Sequence, residues 1–127
     1  MPIAIYHLEA KVITRGTGRS AVAAAAYMSC SRIYNYYDGV THDYTRKRGL
    51  IYEQVFLPEH ALKEWQDRTV LWNAVEEAEK TKDSRLSREL VIALPVEFDL
   101  SVWERMLQEY IKCNFVNRGM CADLCIH

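Results

Sequence analysis

Two residue types in this chain have the chemistry to act on a phosphate ester: a tyrosine on an alanine helix, and a set of histidines. Tyr27 closes the run AVAAAAY (21–27), with Ser20 and Ala23 beneath it at helical spacing. A phenol has a pKa near ~10 and attacks poorly until a cation stabilises its phenolate. As a nucleophile Tyr27 therefore needs a metal or basic groups beside it. As an ordinary helical tyrosine it packs its ring and leaves its hydroxyl at the surface. The histidines that could hold such a metal are His7, His42, His60 and His127. His127 shares the polar side of an alternating segment with Cys121 and Cys125, and read alone it is an exposed terminal side chain. Residues i and i+4 of a strand lie ~13 Å apart, too far for both thiols to hold one zinc ion. The GTGRS loop lacks the spacing G-x-x-x-x-G-K-[ST], which excludes a P-loop and nucleotide hydrolysis.

The segment before Tyr27 adds an anion-binding possibility. TRGTGRS (14–20) places backbone N–H groups and two arginines, Arg15 and Arg19, at the start of the alanine helix. Helix N-termini attract anions through unpaired N–H groups and the helix dipole. The formal net charge of the chain is −1, which speaks against a general nucleic-acid binder, but the average hides an asymmetry. Residues 10–50 carry seven basic groups (Lys11, Arg15, Arg19, Arg32, Arg46, Lys47 and Arg48) against Asp38 and Asp43. Residues 51–110 carry seven basic and thirteen acidic groups. This pattern fits a one-sided anion-binding surface, or simply two solvated faces. Tyr34, Tyr36, Tyr37 and Tyr44 could stack the bases of a single strand, or pack against helices.

These groups must be positioned by elements the pattern also predicts. Residues 2–13 alternate as a strand, and a helix spans about 19–30. Asp38-Gly39 between aromatic and β-branched residues marks a hairpin. Residues 49–58 read as a strand stopped by Pro58. Asp67 caps a helix over about 69–80, with Leu71, Ala74, Val75 and Ala78 as its apolar stripe. Residues 87–95 read as a strand. Ser101 and Glu104 fit a capping box for a third helix, which Gly119 stops, and residues 120–127 alternate again. The expected fold class is α+β: a largely antiparallel sheet with flanking helices, packed mainly on one face.

At 127 residues the chain is at most one domain. No run of ~18 apolar residues spans a membrane, and the N-terminus lacks the pattern of a signal peptide. Cys30, Cys113, Cys121 and Cys125 form no C-x-x-C pair, so reduced thiols in a cytoplasm are expected.

Four stretches together resemble the MobA/MobL family of relaxases, the nicking enzymes of plasmid mobilisation among the HUH endonucleases. IYHLEAKVITRGTGRSAVAAAAY is similar to the family's opening block, and SCSRIYNYYDGVTHDYTRKRGLIYEQVFLP to its hairpin segment. LWNAVEEAEKTKDSRLSRELVIALPVEF carries the E-x-x-x-A-L-P pattern, and GMCADLCIH resembles the start of the metal-binding block. The resemblance covers nearly the whole chain, residues 1–127, as the N-terminal part of a relaxase domain.

It implies that Tyr27 attacks the scissile phosphate of single-stranded DNA at an origin of transfer. A covalent 5′-phosphotyrosine forms and a 3′ hydroxyl leaves. It also implies that His127 is the first of three histidines binding a divalent metal (Mg²⁺ or Mn²⁺), and that Glu89 orients a histidine beside that site. Arg15, Arg19, Arg32, Arg46, Lys47 and Arg48 are the expected DNA contacts, with other relaxosome proteins as further partners and no membrane. The H-x-H pair of the family is absent from these residues, so the fold is expected to be incomplete at its C-terminus. The chain alone is then expected to be inactive while a longer parent nicks DNA. The alternative is a non-catalytic module that binds single-stranded DNA or a relaxosome partner.

Overall fold

Antiparallel pairing organises every strand of the computed structural model, which describes residues 7–79, 81, 84–93 and 99–127. The elements run β1 (His7–Thr14), α1 (Ala21–Ser29), β2 (Arg32–Asn35), β3 (Val40–Asp43), β4 (Tyr52–Phe56), α2 (Arg68–Ala78), β5 (Arg85–Ala93), α3 (Leu100–Asn114) and β6 (Ala122–Ile126). Among the described residues, β1 pairs with β5, β2 with β3, and β4 with β6. The α+β class is as expected, but the strands form three two-stranded ladders. The register sets Lys11 opposite Glu89 and Val55 opposite Asp123. Residues 36–39 turn the β2–β3 hairpin as Asp38-Gly39 predicts. Gly39 takes a φ of 73°, which a side chain would strain.

Alanines bring the layers together. Ser20 caps α1 by accepting from the Ala23 N–H at 3.1 Å, and Cys30 ends the helix in the left-handed region at φ 52°. Val22, Ala25 and Ala26 are buried with Ile33, and Tyr44 and Trp72 pack against them. Ile13, Ala21 and Leu86 form a second cluster that also reaches Trp72. Without bulky side chains on this face, α2 lies close enough for its own side chains to reach the start of α1.

Several expectations change. The β1 alternation buries no face across Glu9, Ala10, Lys11 and Val12, which are all exposed; burial begins at Ile13. Residues 2–6, 80 and 94–95 of the expected elements lie outside the described residues. Asp67 caps α2 as expected, accepting from the Thr69 N–H at 2.9 Å. The buried side of α2 is Leu71, Asn73 and Glu76, while Ala78 is exposed, so the helix is rotated from its apolar stripe. The reason is polar: Asn73 donates to the Tyr34 carbonyl and accepts from the Tyr36 N–H, which fastens α2 to the hairpin. The capping box does not form, because α3 starts one residue before Ser101 with Asp99 at its N-cap. Gly119 closes a single 3-10 turn (Val116–Arg118) that follows α3, not α3 itself.

Candidate active site

The site is built around both ends of α1. At its N-terminus the anion is the protein's own. The Glu76 carboxylate, on a residue only 1% exposed, accepts from Ser20 Oγ at 2.9 Å and from the Ala21 N–H at 2.9 Å. Its other oxygen meets Arg15 Nη2 at 3.0 Å. Unpaired N–H groups and the helix dipole make this a favourable seat for a carboxylate. Arg15 is consumed by the same arrangement. Its Nη2 donates to the Glu76 carbonyl at 2.8 Å, and its Nη1 donates to the carbonyls of Thr81 at 3.1 Å and of Glu79. The guanidinium carbon lies 3.7 Å from the centre of the Tyr37 ring. Arg15, expected as a DNA contact, is thus a buried structural group whose donors face inward. Asn35, fully buried, completes this end by donating to Ser20 Oγ.

At the other end of α1, Tyr27 is 52% exposed and faces solvent. Its ring meets the edge of Tyr44 at a centroid distance of 5.2 Å. Lys47 Nζ lies 3.9 Å from the centre of the Tyr27 ring and donates to the Tyr27 carbonyl at 3.1 Å. His127 arrives from the end of β6, and its Nε2–H donates to the Met28 carbonyl at 2.7 Å. With that proton on Nε2, the nitrogen has no lone pair for Lys47, whose Nζ stands 3.4 Å away. Tyr27 and His127, 100 positions apart in sequence, therefore meet at one helix end.

An open cleft of about 430 Å³ runs along α1 between these ends. Tyr27, Lys11, Arg19, Glu89, His42 and Tyr37 are among its walls. Glu89, expected to orient a histidine, forms ion pairs with Lys11 at 3.7 Å and Arg19 at 3.8 Å among the described residues. Both bonds are long, and both cations remain about two-fifths exposed. Arg32, Arg46 and Arg48 are exposed but do not line the cleft. Thr45 hydrogen bonds, with help from Arg32 and Arg46, hold the Asp43 carboxyl below its ordinary range.

Among the described residues no three His, Cys, Asp or Glu side chains stand close enough to share an ion. His42 reaches the cleft wall, and its buried Nε2 has no hydrogen-bond partner; His60 lies against Gly119. The side chain of His7 lies outside the description. Burial, with Asp123 nearby, pushes the Cys125 thiol up to about 12, which keeps it protonated and a poor ligand. Asp123 itself is held by Arg68 through two hydrogen bonds, at 2.6 and 2.8 Å, and by Trp72 Nε1 at 2.9 Å. That buried cluster fixes β6, and with it His127, against α2.

Sequence reasoning missed Glu76 and the positioning of Lys47. Glu76 sits in EEAEK, which reads as a solvated acidic face. Its one sequence signal is its place a turn beyond Leu71 and Trp72 on the helix that packs against α1.

The geometry of this chain matches that of a solved structure. A chain from a study of the molecular basis of vancomycin resistance transfer in Staphylococcus aureus superposes with a TM-score of 0.90 at 36% identity, over 98% of this chain and 63% of that one. The chain belongs to the MobA/MobL family, whose profile matches residues 19–127. The conjugal transfer protein TraA of Rhizobium radiobacter is 38% identical over 136 residues, covering 98% of this chain and 12% of its own length. The mobilization protein MobL of Acidithiobacillus ferridurans is 38% identical over 125 residues, with 32% of its length covered. The probable mobilization protein MobA of Bifidobacterium longum is 36% identical, with 22% covered. The chain thus spans about a tenth to a third of these relatives. No described helix is long and apolar enough to cross a membrane.

Proposed function

We propose that this chain is the nucleophile-bearing part of a relaxase that nicks one DNA strand at a plasmid origin of transfer. Tyr27 Oη attacks the scissile phosphorus and forms a P–O bond, while the bond from phosphorus to O3′ breaks. The phenol loses its proton and the leaving O3′ takes one up, so charge and atoms balance. The enzyme keeps the 5′ end as a phosphotyrosine and frees a 3′ hydroxyl. Relatives named for conjugal transfer and mobilisation support this reading. The observation that carries it is Tyr27 itself: a half-exposed phenol on a helix built mostly of alanine, facing an open cleft walled by Lys11 and Arg19.

This chain's groups supply orientation and charge. The edge of Tyr44 and the ammonium of Lys47 fix the ring of Tyr27. Arg19 and Lys11, only loosely held by Glu89, can exchange that carboxylate for backbone phosphates. Tyr34 and Tyr36, exposed on the hairpin with their rings edge to face at 4.9 Å, offer π-faces to unpaired bases.

Among the described residues, His127 is the ligand that the family resemblance assigns to a divalent ion. Its Nε2–H is spent on Met28 and a lysine ammonium stands beside it, so the described residues do not hold an ion by themselves. The same observation favours a second reading for the isolated chain, a module that binds single-stranded DNA without cutting.

The test is to incubate the intact protein with an origin oligonucleotide and Mn²⁺. A covalent protein–DNA adduct is expected on a denaturing gel, and Tyr27→Phe abolishes it. An adduct that survives in the phenylalanine variant assigns the nucleophile elsewhere. Binding without any adduct in the wild type favours the non-cutting module.

A further inference from the structure

We infer that Lys47 is a positioning residue for Tyr27 and not a DNA-phosphate contact; the inference rests on the nicking reading above. Its position in the run RKR (46–48) suggests a basic patch, yet the three side chains part company in the fold. Arg46 and Arg48 are exposed, whereas Lys47 is half-buried and folds back on α1. The ammonium has two attractive contacts there: the Tyr27 ring at 3.9 Å and the Tyr27 carbonyl at 3.1 Å; His127 Nε2 stands 3.4 Å away with its proton given to Met28.

Each contact has a physical basis. A cation over a phenol ring is drawn by the ring quadrupole. The last carbonyls of a helix lack partners, and the helix dipole favours a cation beside them. The Tyr27 carbonyl is one of these, and the Met28 carbonyl, taken by His127, is the next. One ammonium thus grips the nucleophile's ring and the backbone of the same residue. This leaves the ring little freedom about its side-chain torsions. It also ties the loop after β3 to the last turn of α1. A phosphate contact needs a free ammonium, and this one is already engaged.

Two measurements test the inference. In the 127-residue chain, nuclear magnetic resonance of the Lys47 ε-methylene should show protons shifted upfield by the Tyr27 ring, and Tyr27→Leu should return them to the ordinary lysine position. A Lys47 signal already at that position overturns the inference. This arm needs no catalysis, so it stands apart from failure of the nicking reading.

In the intact protein, Lys47→Met should slow adduct formation at saturating oligonucleotide about tenfold, while binding affinity and its salt slope stay within about twofold of wild type. Lys47→Arg, which keeps a cation able to lie over the ring, should recover most of the rate. An unchanged saturating rate overturns the inference. If binding also weakens and the salt slope falls by about one, Lys47 is a phosphate contact instead.

Discussion

Arg15 Nη2 and Glu76 Oε2 lie 3.0 Å apart with both side chains almost completely buried, and this pair closes the N-terminus of the helix that carries Tyr27. Removing one partner of a buried ion pair strands the other charge and costs about 3–5 kcal/mol. Glu76→Ala should therefore destabilise the chain by about that amount in urea denaturation. Glu76→Gln keeps an oxygen for the Ser20 hydroxyl and the Ala21 N–H and should cost less. A loss below about 1 kcal/mol for the alanine variant would mean that the pair is not structural.

Arg15 and Arg19 lie four residues apart in one loop, yet they should behave differently. Arg19 is partly exposed on the cleft and bound only at 3.8 Å to Glu89. Arg19→Ala should weaken single-stranded DNA binding and lower the salt slope by about one. Arg15→Ala should show its main effect in thermal or urea unfolding. Equal salt slopes for wild type and Arg19→Ala would remove Arg19 from the interface.

Cys125 should resist alkylation at neutral pH while the exposed Cys113 reacts, because burial keeps the Cys125 thiol protonated up to about 12. The unfolded chain gives up that proton near the ordinary thiol value of 9.0, so above it the unfolded state binds fewer protons than the native state. Stability is unaffected by this group below about pH 9 and falls as the pH rises from there toward 12. Peptide-resolved iodoacetamide labelling across that range checks both statements. Equal labelling of Cys113 and Cys125 at pH 7 contradicts them.

Asp123 joins β6 to α2 through Arg68 and Trp72, and so sets where His127 meets α1. Asp123→Ala should cost about 3–5 kcal/mol, since it leaves a mostly buried guanidinium without its main counter-charge. It should also change Trp72 fluorescence as the indole N–H loses its acceptor. A variant with wild-type stability and emission would show that β6 is held by its pairing with β4 alone.

The strand and helix order was legible because alternation, Asp38-Gly39 and the Asp67 cap are local signals; the hairpin and the cap of α2 form where the sequence implies them, while the β1 alternation marks a strand without marking a buried face. The caps of α3 and the buried side of α2 were not legible. Asn73 and Glu76 are polar, and apolar periodicity reads polar residues as solvent-facing. Their burial is decided by partners far away in sequence: the hairpin backbone for Asn73, Arg15 and Ser20 for Glu76. The same limit governs the site. Tyr27 stood out as a phenol on a bare helix, but the loop before it looked like an open phosphate cradle. Nothing local says that a carboxylate from α2 already occupies it. Lys47 was hidden inside a basic run, because a run of charge does not tell which member turns inward.

The central claim, that the Tyr27 oxygen becomes bonded to DNA phosphorus, is tested most directly by mass spectrometry of the adduct. The intact protein is reacted with an origin oligonucleotide, digested with nuclease and trypsin, and the nucleotide-bearing peptide is sequenced. The expected result is a phosphodiester mass on the peptide that begins at Ser20, localised to Tyr27. The same mass on Tyr34, Tyr36, Tyr37 or Tyr44, or on any residue outside α1, would contradict the account.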